Sequence, residues 1–215
     1  MLRRTFGQIA ALFISSVVLA SPAVFAADEA PDALIKRLSS EVLEKIKSDK
    51  TVQAGDMTRV MALVDSLIMP NVNFTRMTAS AVGPTWRQAT PEQKKRLQDE
   101  FKTLLIRTYS GALSQVHEQT IDVKPMREAA GATEVVVRTE VLGRGDPAQL
   151  DYRLEKVASG WKIYDLNVLG VWLVATYRTQ FSREINASGI DGLIASLSDR
   201  NKTNKTNNVN NAKKS

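Results

Sequence analysis

The spacing at which apolar residues recur changes twice along this chain, and that change constrains the fold more than any other feature of the sequence. Up to about Val116 the repeat is helical, between Thr120 and Val168 it is alternate, and after Gly170 the helical repeat returns. Four runs make up the alternating block: Thr120 to Met126, Thr133 to Leu142, Gln149 to Val157 and Trp161 to Val168. Ala129-Ala130-Gly131, Gly143-Arg144-Gly145-Asp146-Pro147 and Ser159-Gly160 separate them. Connections this short join antiparallel neighbours, so the block predicts a four-stranded antiparallel meander. Helices, then strands, then helices specify an α+β domain in which the N- and C-terminal helices cover one sheet face. Within the second and third runs, Val135, Val137 and Val141, and Tyr152 and Leu154, occupy the covered face. Asp151, Arg153 and Glu155 alternate toward the wet one.

The flanking helices carry their own signals. Leu34, Ile35, Leu38, Val42, Leu43 and Ile46 share a face between Asp32 and about Lys50. After Gly55-Asp56, the residues Met57, Val60, Met61, Val64, Leu67 and Ile68 predict a second helix ending before Pro70. A shorter helix is expected over about 75–82. Thr90-Pro91-Glu92-Gln93 is a capping box with proline at the first helical position, and it opens a long helix whose face carries Leu97, Phe101, Leu104, Leu105, Tyr109 and Val116. Beyond Gly170 the apolar face is Leu173, Val174, Tyr177, Phe181 and Ile185. Ser188-Gly189 interrupts it before Ile190, Leu193, Ile194 and Leu197.

The chain has 29 basic and 23 acidic residues, a formal net charge of +6, which raises nucleic-acid binding as a possibility. The excess lies at the ends. Without Arg3, Arg4, Arg200, Lys202, Lys205, Lys213 and Lys214, residues 27–199 hold 22 basic against 23 acidic side chains, so no nucleic-acid partner is expected. Arg3 and Arg4 precede the twelve apolar-rich residues Ile9 to Ala20, too short to span a bilayer comfortably, and Val24-Phe25-Ala26 follows. This is the pattern of a secretory signal over 1–26, cleaved after Ala26. Residues 27–199 are then one domain, and 200–215, with six Asn in 201–215 and Val209 as the single sizeable apolar residue there, predict a disordered tail. Its cations allow a transient contact with an anionic membrane surface.

With no cysteine and one histidine, His117, the chain has no thiolate or multi-histidine metal site, and no metal is expected. Phosphate-binding glycine loops and nucleophile elbows are also absent. Asp151 and Asp165, near Tyr152 and Tyr164, are the one pair that would admit proton-transfer chemistry in a cone-shaped cavity. A surface or structural role is favoured for both, so no catalytic residues are expected. Large flexible or aromatic side chains are plentiful: Met57, Met61, Met69, Met77, Trp86, Tyr109, Tyr152, Trp161, Trp172 and Tyr177. Periodicity does not distinguish a filled core from a lined cavity built of such residues.

Two dense motifs carry a resemblance. The first runs Ala81-Val82-Gly83-Pro84-Thr85-Trp86-Arg87-Gln88-Ala89-Thr90-Pro91-Glu92-Gln93, followed by Phe101, Leu104-Leu105 and Arg107-Thr108-Tyr109. The second runs Gly160-Trp161-Lys162-Ile163-Tyr164-Asp165-Leu166, then Gly170, Leu173, Tyr177-Arg178, Phe181 and Gly189-Ile190-Asp191-Gly192-Leu193. In this order they resemble the MlaC family, the toluene-tolerance auxiliary proteins. Leu169-Gly170-Val171-Trp172 departs from the family, many of whose members have an acid before the glycine and a small polar residue after it.

The resemblance implies a periplasmic phospholipid-binding protein that takes lipid between an outer-membrane lipoprotein-porin complex and an inner-membrane ABC transporter complex, maintaining outer-membrane lipid asymmetry. It implies no covalent chemistry and no resident cofactor, the bound phospholipid being cargo. It also implies an apolar cavity between sheet and helices. Combined with the alternation and the helix faces, this gives expected lipid-binding walls. On the sheet these are Val135, Val137, Val141, Tyr152, Leu154, Trp161 and Ile163. On the helices they are Met57, Met61, Val64, Leu104, Leu105, Tyr109, Leu173, Val174 and Tyr177. Trp86 and Arg87 either position a partner surface or pin the loop before the long helix. A non-lipid periplasmic binding or assembly protein and a cone-fold enzyme are the alternatives.

Overall fold

A computed structural model describes residues 29–113, 115–126 and 131–212, with side chains described as far as Thr203. The expected signal at 1–26 lies outside the described residues. Helix α1, Pro31–Ser48, begins with proline and an acidic first turn at Asp32 and ends with Lys45 and Lys47, each matched to the helix dipole. The Asp49 side chain accepts from the backbone N–H groups of Thr51 and Val52 and so caps the single turn α2, Lys50–Gln53. Asp56 does the same for α3, Met57–Leu63, through Arg59. The helix expected to stop before Pro70 instead loosens in two steps. A π turn over Val64–Ile68 is followed by a 3-10 turn over Met69–Asn71, so the proline is accommodated where the α-type hydrogen bonds have already lapsed.

Asn73 caps α4, Phe74–Val82, which ends at Gly83. The 3-10 turn Gly83–Arg87 leads into α5, Pro91–Leu113. Its capping box is closed in both directions. Gln93 N donates to Thr90 Oγ1 at 3.2 Å, and Thr90 N to Gln93 Oε1 at 3.0 Å. His117 follows as an exposed residue of the next bend.

The sheet has six strands: β1 Thr120–Val123, β2 Glu134–Val137, β3 Thr139–Leu142, β4 Ala148–Val157, β5 Gly160–Val168 and β6 Val171–Trp172. Two differences raise the number from the expected four. The run Thr133 to Leu142 is broken at Arg138, whose carbonyl accepts Lys124 N–H at 2.9 Å, and both halves pair antiparallel with β4. A short return strand, β6, also pairs with the end of β5. A bulge between Arg153 and Leu154 adds twist to the central β4–β5 ribbon. Val72 bridges to Ile163 on the edge of β5, and Asn73 N donates to the Ile163 carbonyl, which covers part of that edge.

Helix α6, Leu173–Ala212, contains the expected interruption: Gly189 at φ 70° and ψ −172° divides it. Its first part packs with α4 and α5, while α1 lies against β1 and β2. The boundary drawn at residue 199 is corrected by this helix. The backbone stays helical to Ala212, and Asn201 is buried, its amide donating to the Glu100 carbonyl at 3.0 Å. Arg200 pairs with Glu184. Composition missed this because two polar side chains find partners remote in sequence, Glu100 on α5 and Glu184 before the Gly189 break, so residues 200 and 201 pack on the folded body. Residues 213–215 of the expected tail lie outside the described residues.

Candidate functional site

The apolar interior is divided into three clusters. The first is helical: Phe74 on α4, Leu97, Phe101 and Leu104 on α5, and Leu173, Tyr177, Phe181, Leu193, Ile194 and Leu197 on α6. Phe101 is its centre, with ring centroids 4.9 Å from Tyr177 and 5.2 Å from Phe181, both edge-on. The second joins Leu34, Ile35 and Leu38 of α1 to Val137, Tyr152, Leu154, Trp161 and Ile163 of the sheet. The third gathers Ile46, Val52, Val60, Leu63, Val64 and Ile106.

Four half-buried side chains belong to two clusters each. Val72 and Leu166 touch the helical and sheet clusters, Met69 the helical and third clusters, and Val42 the sheet and third clusters. Leu105, Tyr109, Val168 and Val174 are also half-buried along the helical cluster. Side chains that are neither closed off nor solvated, at a junction between sheet and helices, form an apolar seam. The four residues that join the clusters are all aliphatic or methionine.

The expected wall residues fall into different places. Leu154 and Val137, both 0% exposed, Ile163, Trp161 and Tyr152 pack tightly against α1. Leu104, Leu173 and Tyr177 are closed into the aromatic centre. Val64 is buried in the third cluster with Met57 and Met61 half-buried against it. Val135 is half-buried on the sheet cluster, and Leu105, Tyr109 and Val174 are half-buried against the helical cluster. Val141 pairs across to Ile121 and Ala148, half-buried and outside the three clusters.

The expected walls did not include α1, whose Leu34, Leu38 and Val42, at intervals of four, pack on the sheet cluster. They also omitted Met69, Val72 and Leu166. Val72 stands between two helical patterns, and its position depends on the bridge to Ile163.

Burial of the phenols pushes Tyr109 and Tyr177 above their ordinary pKa, and pushes Tyr152 up to about 12, so these hydroxyls stay neutral in apolar surroundings.

On the opposite sheet face the expectation of a wet surface is corrected. Asp151, Asp165 and Asn167 are buried, at 3%, 1% and 5% exposure. Asp151 accepts Thr139 N–H and the Gln149 amide. Asp165 accepts the backbone N–H groups of Leu166 and Val174, and a guanidinium nitrogen of Arg153 at 3.0 Å. Arg153 in turn lies 3.8 Å over the Trp172 ring. Return strand β6 sets Trp172 opposite Asn167 and leads into the α6 turn that Asp165 caps, which alternation within β4 and β5 alone could not show. Desolvation raises the Asp165 carboxyl, against its hydrogen bonds and Arg153, which lower it. Its lone pairs are occupied by folding contacts, and Asp165 acts as a cap for α6.

Among the described residues no group of His, Asp and Glu is placed to hold a metal ion, and no helix is long and apolar enough to cross a membrane.

Comparison with known proteins gives a consistent result. The chain is 25% identical over 176 residues to the toluene tolerance protein ttg2D of Pseudomonas putida, a match covering 81% of this chain and 82% of the relative. It is 20% identical over 175 residues to the intermembrane phospholipid transport system binding protein MlaC of Haemophilus influenzae, covering 80% and 82%. Among solved structures, a phospholipid-binding protein of Ralstonia solanacearum in complex with a phospholipid superposes with a TM-score of 0.80 at 46% identity, covering 83% of this chain and 99% of that one. The family model described as MlaC protein matches residues 36–199, and the chain belongs to the MlaC family.

Proposed function

We propose that the protein is a periplasmic phospholipid carrier whose acyl-chain site is the seam between the sheet and the helices. The observation that carries the reading is the likeness, at 46% identity and over 99% of its length, to a protein solved with a phospholipid bound. The seam supports it from within the chain, since Leu105, Tyr109, Val174, Val72 and Leu166 present apolar surface that the packed clusters leave half open.

The physical case for a carrier is one of magnitude. At ~0.8 kcal/mol per methylene, two acyl chains of roughly 30 methylenes cost on the order of 20 kcal/mol to expose to water. A protein seam substitutes one apolar surrounding for another, so extraction from a bilayer is near neutral. Direction then comes from differences in affinity between donor and acceptor, or from ATP hydrolysed elsewhere. In this reading the donor and acceptor are an outer-membrane lipoprotein-porin complex and an inner-membrane ABC transporter complex. The expected signal over 1–26 supplies the export step. Leucine, valine and methionine walls tolerate different chain lengths.

Native mass spectrometry of gently purified protein, with lipid extraction alongside, tests the reading. Phospholipid bound at one defined stoichiometry is expected. Protein that never retains phospholipid, and acquires none from vesicles, would sink it in favour of a non-lipid binding or assembly protein.

A further inference from the structure

A second site lies away from the seam. The outer side of α4, the 3-10 turn after it and the first turns of α6 border an open cleft of about 520 Å³, with Arg76, Gly83, Pro84, Trp86, Arg87 and Arg178 in its wall. The turn is built for this shape. Gly83 takes φ 79° and ψ −150°, a conformation essentially restricted to glycine, and Pro84 stiffens the next residue. The Arg178 guanidinium lies against the bare Gly83 backbone, where a Cβ would be 3.5 Å from its central carbon.

The three guanidiniums differ in how they are satisfied. Arg76 is held by Glu134 and Glu155 and lies 3.7 Å over the Tyr164 ring, so this wall already takes carboxylates as partners. Arg178 has one long hydrogen bond, 3.4 Å to the Ser80 carbonyl. Arg87 is exposed, and among the described residues neither it nor Arg178 forms an ion pair. Lys94 adds a further cation, its ammonium 5.7 Å from the Trp86 ring centroid.

We propose that this cleft is a docking site for a carboxylate-bearing segment of a protein partner. Two guanidinium forks without carboxylates favour bidentate acidic side chains, and Trp86 beside them is the kind of rigid anchor that dominates protein interfaces. Shape argues for a protein over a bilayer. A flat anionic surface engages cations spread over a face, whereas Arg87 and Arg178 converge on one open cleft beside a half-buried tryptophan. The inference rests on the carrier reading for the identity of the partner, a complex that receives or donates lipid, and on the cleft alone for its chemistry.

The test is a titration of the purified protein with a short peptide of alternating Glu and Ala, following the Trp86 indole N–H and the Arg87 and Arg178 Nε–H resonances. Saturable shifts confined to the cleft and weakened by salt are expected, with none from the Gln-Ala counterpart. Arg87→Glu is expected to weaken binding about tenfold or more with bound phospholipid per protein unchanged. Because Arg178 packs on the Gly83 turn, Arg87→Gln provides a second, structurally silent variant.

Absence of cleft shifts with the Glu peptide overturns the proposal. So do equal shifts from inorganic phosphate at the same concentration, or displacement of the peptide by phosphatidylglycerol vesicles, which would assign the cleft to phosphate groups. Protein that carries no phospholipid but binds the peptide removes the carrier reading and leaves the docking site. Lipid-loaded protein that ignores the peptide does the reverse.

Discussion

Asp165 Oδ1 accepts the backbone N–H of Val174 at 3.0 Å, so a carboxylate from the long strand β5 caps the first turn of α6. Asp165→Ala is expected to lower unfolding free energy by about 1–3 kcal/mol, through loss of the cap and of the Arg153 bond. Asp165→Asn keeps an acceptor at Oδ1 without a charge to bury and should be within about 1 kcal/mol of the parent. The pH dependence separates them further. Burial raises this carboxyl, so the folded state holds its proton more tightly than the unfolded chain, and the contribution to stability is lost as pH rises through the folded pKa. Denaturant melts from the acid range to neutrality should show that decline in the parent, and the Asn variant should lack it.

The seam is probed by filling it. Leu105→Trp and Val174→Trp place a ring where the structure leaves half-buried side chains, and each should reduce phospholipid recovered per protein while the thermal melt stays cooperative. Val137→Trp is a poorer probe. Val137 is 0% exposed and directly opposite Tyr152, so the larger ring should cost about 1–3 kcal/mol by overpacking α1 against the sheet. Quantitative lipid extraction from the three variants, with melts, checks the distinction.

Tyr152 predicts an alkaline transition. Its phenol is buried beside Ser39 and Thr139 and titrates at about 12, whereas an unfolded tyrosine releases its proton near ~10. The phenolate is the disfavoured form in the fold, so stability should fall between those values by a total of about 2–3 kcal/mol. Tyr152→Phe should cost about 1 kcal/mol at neutral pH and flatten the alkaline decline. Chemical melts at stepped pH, with tyrosinate absorbance recorded in parallel, follow both effects.

The turn between β5 and β6 carries a correctable strain. Val168 pairs with Val171, and the two residues between them, Leu169 and Gly170, have φ of 52° and 87°. A two-residue hairpin with both angles positive prefers Asn-Gly, and Leu169 is 68% exposed, so its side chain has little packing to lose. Leu169→Asn should raise stability by about 1 kcal/mol, a Tm increase of roughly 2–4 °C, measurable by calorimetry.

The legible parts of the fold were those encoded locally. The Thr90–Gln93 capping box, the break at Gly189 and the alternation of β4 each follow from neighbouring residues, and each is present. What stayed hidden depends on contacts across the chain. The split at Arg138 comes from a carbonyl turning to Lys124, and Asp151 is buried with partners at Thr139 and Gln149, the first of them on another strand. Asn201 was read as solvated because its partner, Glu100, is distant in sequence. The wall residues were harder still. Leu104 and Leu105 are adjacent on one helix, yet one is closed into an aromatic centre and the other half-buried at its edge. A difference of that kind is one of rotation by a fraction of a turn, finer than a hydrophobic period resolves.

The division of the interior into clusters has a mechanical corollary. The rings around Phe101 lock α4, α5 and α6 to one another, and Leu34, Ile35 and Leu38 lock α1 to the sheet. Between these two shells run the aliphatic contacts of Val72 and Leu166 and a set of polar ties: Asn73 N–H to the Ile163 carbonyl, Arg76 to Glu134 and Glu155, and Val174 N–H to Asp165. The aliphatic contacts are the ones an apolar guest could replace with its own, whereas the polar ties have no substitute in a hydrocarbon and hold the two shells in register.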